Sequence, residues 1–133
     1  MLSFILIGPA IDANDTLEYL NLSWNHLRGS GAVAIGKGLR DNCTLKRFEL
    51  SWNGYADKGA CAVGDSMKEN NTLTDIDLSN NRITCVGAHC IANGIKVNNT
   101  LKILRWVIKP LYRKFFKPSI LFSIFLCGLY SYK

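Results

Sequence analysis

The sequence predicts an α/β solenoid, 28-residue units of strand, turn and helix stacked in one domain around a parallel sheet. Three observations predict it. Leu17, Leu45, Leu73 and Leu101 recur at intervals of 28 residues, each preceded by Thr16, Thr44, Thr72 or Thr100. Each unit opens on apolar residues alternating with polar ones. Fourteen residues into the unit, Gly31, Gly59 or Gly87 introduces apolar residues at helical spacing. A fixed period of about 20 to 50 residues means that one unit cannot bury its apolar face alone and is stabilised by stacking on its neighbours.

Residues 1–16 hold half a unit. Phe4, Ile7 and Ile11 fall in the columns that Ala32, Ile35 and Leu39 occupy one unit later, so this stretch reads as a partial repeat, a helix remnant. Pro9 falls in the middle of that helix, where a residue with no N–H and a ring that clashes with the preceding turn costs about 3 kcal/mol. A short helix starting near Pro9, or an irregular one, is expected.

Complete units run 17–44, 45–72 and 73–100, and a fourth opens at Leu101, so the repeats span 17–104. Their strands are written in Leu17, Leu20 and Leu22, then Leu45, Phe48 and Leu50, then Leu73, Ile76 and Leu78. Alternation puts one face of each strand inward, and a strand that recurs after a helix pairs in parallel with its predecessor. The helices are written in Ala32, Ile35 and Leu39, then Ala60, Val63 and Met67, then Ala88, Ile91 and Ile95. This spacing is one stripe of an amphipathic helix. Asn25, Asn53 and Asn81 share a column just past the strands, where a carboxamide, donor and acceptor at once, satisfies the backbone of a turning chain. A stacked ladder of asparagines is expected there rather than a polar site.

The pattern LxxLxLxxNxL followed by a helix at this period resembles the ribonuclease-inhibitor-like class of leucine-rich repeats, over residues 17 to about 104. The wording LEYLNLSWN, GLRDNCTLK and LSNNRIT is similar to the leucine-rich repeat-containing protein 74 group. The resemblance implies a curved solenoid with strands on the concave side and helices on the convex side. It also implies a protein that binds other proteins, without naming the partner.

The net charge of +6 is unevenly placed. Residues 1–101 hold 9 Lys and Arg against all 10 Asp and Glu, whereas the last 32 residues hold 7 basic residues and no acid. A nucleic-acid groove needs a basic surface, so the near-neutral repeats are expected to bind no nucleic acid. Cys43, Cys61, Cys85, Cys90 and Cys127 are odd in number, lack CxxC spacing and fall in different columns. That argues against a disulfide or zinc framework, and reduced thiols in a cytoplasmic protein are expected. The apolar start, residues 1–7, has no basic flank and is short for a signal peptide, so secretion is not expected. Sequons at Asn14, Asn42, Asn70 and Asn98 recur with the repeat and read as helix-to-strand turns rather than glycosylation sites.

Residues 105–133 form a divergent tail, basic and then apolar. Trp106 still fills the Leu22 column and Leu111 the Leu27 column, but Lys109 replaces the ladder asparagine, Phe115 the glycine, and Ser119 and Ser123 the apolar helix positions. As a helix, the apolar stretch 119–132 would span about 21 Å, short of the roughly 30 Å hydrocarbon core, so a full crossing is not expected. Three readings stay open: a terminus never shaped for this fold, membrane contact through residues 109–132, or an apolar cap on the last repeat.

No nucleophile, base and orienting group come together in the pattern, and neither an enzyme nor a cofactor is expected. Cys85, His89 and Cys90 invite a metal reading, but position 90 matches Ala34 and Ala62 and reads as a small core residue. The binding candidates point outward from the strands: Glu18, Tyr19 and Trp24 in the first unit, Arg47, Glu49 and Trp52 in the second, Asp75 and Asp77 in the third. Trp24 and Trp52 share a column, within stacking reach on adjacent strands. Large aromatics beside charges of both signs resemble a protein-binding hot spot, and the alternative is that each Trp only covers its own loop. The expected function is a non-enzymatic protein–protein interaction module binding a partner through the concave face. The alternatives are a membrane-associated adaptor, or a variant without independent activity, since three units stand near the lower limit for a stable solenoid.

Overall fold

The computed structural model describes residues 3–106. Helix α1 (Ser3–Ala13) leads into three strand–helix pairs, β1 (Tyr19–Asn21) and α2 (Gly29–Asp41), β2 (Arg47–Glu49) and α3 (Asp57–Met67), β3 (Asp75–Asp77) and α4 (Cys85–Val97), and β4 (Ile103–Arg105) follows. The four strands form one parallel sheet in the order β1-β2-β3-β4. Its register is the sequence period: Leu20 lies opposite Phe48, Phe48 opposite Ile76, and Ile76 opposite Leu104. Each strand is only three residues long, yet hydrogen bonding continues beyond it. The Lys46 N–H donates to the Glu18 carbonyl at 2.8 Å, the Leu22 N–H to Glu49 at 2.9 Å, and the Trp24 N–H to Ser51 at 3.1 Å.

One core fills the space between the sheet and the helices. Phe48, Leu50, Ile76 and Leu78 from the sheet meet Ile35, Leu39, Val63, Met67 and Ile91 from the helices, as the apolar columns require. Burial depends on having a neighbour on both sides. In one column Leu17 is 45% exposed whereas Leu45 is 1% and Leu73 0% exposed. Among the helix columns the expected stripe is buried apart from Ile95, which is half-buried on α4.

Two rows of asparagines fasten the turns. The Oδ1 of Asn53 accepts from the backbone N–H groups of Asn25 (2.9 Å) and Leu27 (3.0 Å), and its Nδ2 donates to the Leu22 carbonyl (2.8 Å). Asn81 repeats this toward Asn53, Tyr55 and Leu50, which is the expected ladder. The second row is made by the sequon asparagines. Asn42 donates to the carbonyls of Ile11 and Asn14, Asn70 to those of Leu39 and Asn42, and Asn98 to those of Met67 and Asn70. Those amide nitrogens are committed to backbone, and Asn42 and Asn70 are buried, which accords with the turn reading.

Three expectations need correction. Helix α1 runs through Pro9 instead of starting there. Its buried Ile11 and half-buried Phe4 and Ile7 pack on the core while Pro9 faces outward, and that packing outweighs the lost hydrogen bond. Cys61 and Cys90 form a disulfide between α3 and α4, with Cα atoms 4.8 Å apart. Columns compare residues 28 apart, but the staggered helices bring residues 29 apart face to face, so Cys90 is not a core residue and the pair is not reduced. Among the described residues Cys43 and Cys85 form no disulfide, and Cys127 lies outside them. Finally, Arg105, counted with the basic tail, belongs to β4 and faces the acids of β3. The readings of residues 109–132 also lie outside the described residues.

Candidate functional site

The face of the sheet turned away from the helices carries a connected row of polar groups. Arg47 Nη2 lies 2.6 Å from Glu49 Oε1, and Arg47 Nε lies 3.7 Å from Asp75 Oδ2. Arg105 continues the row, 2.5 Å from Asp75 and 3.5 Å from Asp77. At the other end the Asn21 amide donates to Glu49 Oε2 at 2.8 Å and to the Tyr19 hydroxyl at 3.3 Å, and the Arg47 guanidinium lies 5.4 Å from the Tyr19 ring centroid. The hydrogen bond to Glu49, with the charges of Glu49 and Asp75 behind it, raises the Arg47 pKa above its ordinary value against partial desolvation. Glu18 pairs with Lys46 at 2.7 Å, exposed and outside the row. The carboxylates of Glu49, Asp75 and Asp77 are therefore answered within the sheet.

At the turns leaving the strands stands a different chemistry. The rings of Trp24 and Trp52 are stacked, centroids 4.4 Å apart and planes within 8°. They remain 67% and 48% exposed. Both residues sit in the left-handed region, at φ 64° and 54°, and Asn80 follows in the same column at φ 55°. This conformation suits asparagine and is an outlier for a bulky side chain. The turn sets the backbone, and Asn80 satisfies it, so the indoles are not there for the sake of the turn.

Sequence reasoning thus placed every candidate on the outward side, but the structure divides them. Tyr19, Arg47, Glu49, Asp75 and Asp77 share the polar row, Trp24 and Trp52 form the aromatic pair, and Glu18 belongs to neither. Asn21 and Asn80 are also read as outward-facing from the alternation but stand outside the binding candidates, and Arg105 was missed. The 28-residue columns contain Asn21 and Asn80, whereas Arg105 was masked by the basic residues that follow it.

The family model described as Leucine Rich repeat matches residues 13–36, 41–64 and 69–92, more than half of the chain. The chain belongs to the leucine-rich repeat family. The leucine-rich repeat array also resembles a solved structure titled Leiomodin-1 Actin-Binding Site 2, with TM-score 0.79 and 20% identity over 98% of this chain and 72% of that one. At that identity the likeness is one of fold. No curated protein matches the sequence. Leucine-rich repeats serve as protein-interaction modules, and the stacked strands and open sheet face of this array are the framework of one.

Proposed function

We propose that the array binds a protein partner through the concave side of its sheet, with Trp24 and Trp52 as the anchor and Tyr19, Arg47, Glu49, Asp75 and Asp77 as its polar surround. One observation supports this above the rest: two stacked indoles stay about half exposed or more, in a backbone conformation that disfavours them. Binding energy concentrates on such large, rigid aromatics, whereas the paired charges set orientation more than affinity. The wording of the units further supports a place in the leucine-rich repeat-containing protein 74 group.

The test replaces both indoles by the residue the third repeat already uses. The double variant Trp24→Asn, Trp52→Asn keeps the left-handed turns and should melt like the parent while capturing its partner at least tenfold more weakly. The fold shared with an actin-binding site of leiomodin-1 makes actin the first named protein to try, by co-sedimentation. Unchanged capture by the double variant would remove the aromatic pair from the site.

A second reading, a membrane-associated adaptor, is favoured by the charge distribution, with 7 basic residues and no acid in the last 32. None of the described helices is long and apolar enough to cross a membrane, so contact would run through residues 109–132. Liposome flotation of the full chain decides it. Flotation that withstands high salt supports an inserted anchor, flotation released by salt a peripheral contact, and no flotation ends the reading.

A further inference from the structure

We infer that the row formed by Trp24, Trp52 and Asn80 accepts a proline-rich segment in the polyproline II conformation. The inference rests on the binding reading above and names the partner's chemistry. Its first support is pitch. The three residues occupy one column on the turns after β1, β2 and β3, and neighbouring strands lie about 4.8 Å apart, so Trp24 and Asn80 stand roughly 9 to 10 Å apart. One turn of polyproline II, three residues at about 3.1 Å each, covers about 9 Å. A segment laid across the strands therefore presents equivalent residues to Trp24 and Asn80, with the two residues between them turned to either side of the row.

The second support is the kind of bonding on offer. Trp24 and Trp52 use their backbone N–H groups on the carbonyls of Ser51 and Ser79, and each indole brings one further N–H at the exposed side of the turn. An indole N–H donates and never accepts, and Asn80 adds an exposed carboxamide. The row thus offers indole and carboxamide donors along the edges of two rings whose facing surfaces are spent on each other. Polyproline II has the complementary character: its carbonyls make no internal hydrogen bond, its prolines bring no N–H, and its rings are apolar. An ordinary extended peptide would bring an N–H at every residue, and the indoles offer those nothing.

The third support is charge. Arg47 and Arg105 answer the three carboxylates of Glu49, Asp75 and Asp77, so the row keeps a net charge of only −1 and gives a strongly basic or acidic segment little hold on the adjoining sheet. A neutral, preformed helix also loses little conformational freedom on docking.

The experiment is fluorescence anisotropy of a dye-labelled nonaproline peptide titrated with the full chain, beside a glycine–serine peptide and a nonalysine peptide of equal length. Saturable binding of nonaproline, absent for the glycine–serine peptide and at least tenfold weaker with the Trp24→Asn, Trp52→Asn variant, is the expected result. Circular dichroism of that variant checks that the loss is not unfolding, and the single variant Trp24→Asn provides a milder second test. Three results overturn the inference: no saturable binding of nonaproline, equal binding by parent and double variant, or nonalysine binding as tightly as nonaproline. A protein captured through the indoles while nonaproline fails to bind overturns the proline-rich class and leaves the binding site standing.

Discussion

Tyr55 shows how a single position can depart from its column. Leu27, Tyr55 and Ile83 are equivalent, and all are buried, but only Tyr55 carries a hydroxyl there. Among the described residues that hydroxyl has no hydrogen-bond partner, and burial pushes the phenol pKa far above its usual range. A buried, unpaired polar group costs about 1 to 3 kcal/mol, whereas the ring itself is well packed. Tyr55→Phe keeps the ring and removes the orphan, and should stabilise the protein by about 1 kcal/mol, raising the melting temperature by roughly 3 to 5 °C. A lower melting temperature would show that the hydroxyl is satisfied in solution. Residue identity was legible at such positions only as polarity. The sequence could show that Trp24 and Trp52 share a column with Asn80, but not that the column is left-handed, because φ there is set by how each turn hangs on the next asparagine.

Between elements, the columns predicted the contacts that run straight across and missed those that run on a slant. Strand registers and the ladder of Asn25, Asn53 and Asn81 follow from residues 28 apart. Asp57, by contrast, accepts hydrogen bonds from the backbone N–H groups of Thr84 (2.8 Å) and Gly87 (3.0 Å), capping α4 from the start of α3 at separations of 27 and 30. The disulfide between Cys61 and Cys90, at a separation of 29, is hidden from column reading for the same reason. Helix stagger is a property of packing, and no single unit displays it. A bridge that closes a loop of this length is worth about 3.5 kcal/mol in the chain-entropy picture. Urea unfolding should therefore shift to a lower midpoint when dithiothreitol is added, and the Cys61→Ser, Cys90→Ser variant should sit at that lower midpoint and ignore the reductant. Equal midpoints with and without reductant would mean that the two thiols are not joined in solution, which would restore the reduced state expected from composition.

Across the whole molecule, stability is a sum over stacked neighbours, and the end units receive less of it. An apolar cavity of about 250 Å³, lined by Ile7, Ile11, Leu17, Leu20, Leu22 and Leu45 among others, opens beside β1. The column of Leu22, Leu50 and Leu78 makes the point measurable because the residue type is constant. Leu50 and Leu78 are fully buried, with a strand on either side, whereas Leu22 on the outermost strand is half-buried. Deleting a buried leucine side chain costs the lost transfer energy plus the cavity it leaves, about 2 to 5 kcal/mol in a packed interior. Leu50→Ala and Leu78→Ala should each lose about 3 to 4 kcal/mol by urea unfolding, and Leu22→Ala no more than about half of that, since one side of the site already lacks packing atoms. If all three variants lose the same amount, the array unfolds as a block with no weak end, and the nearest-neighbour account is wrong. If Leu22→Ala is the mildest, the unit bearing Trp24 is also the one that opens most easily, and occupancy of the aromatic row should raise its protection against hydrogen exchange more than that of the second or third unit.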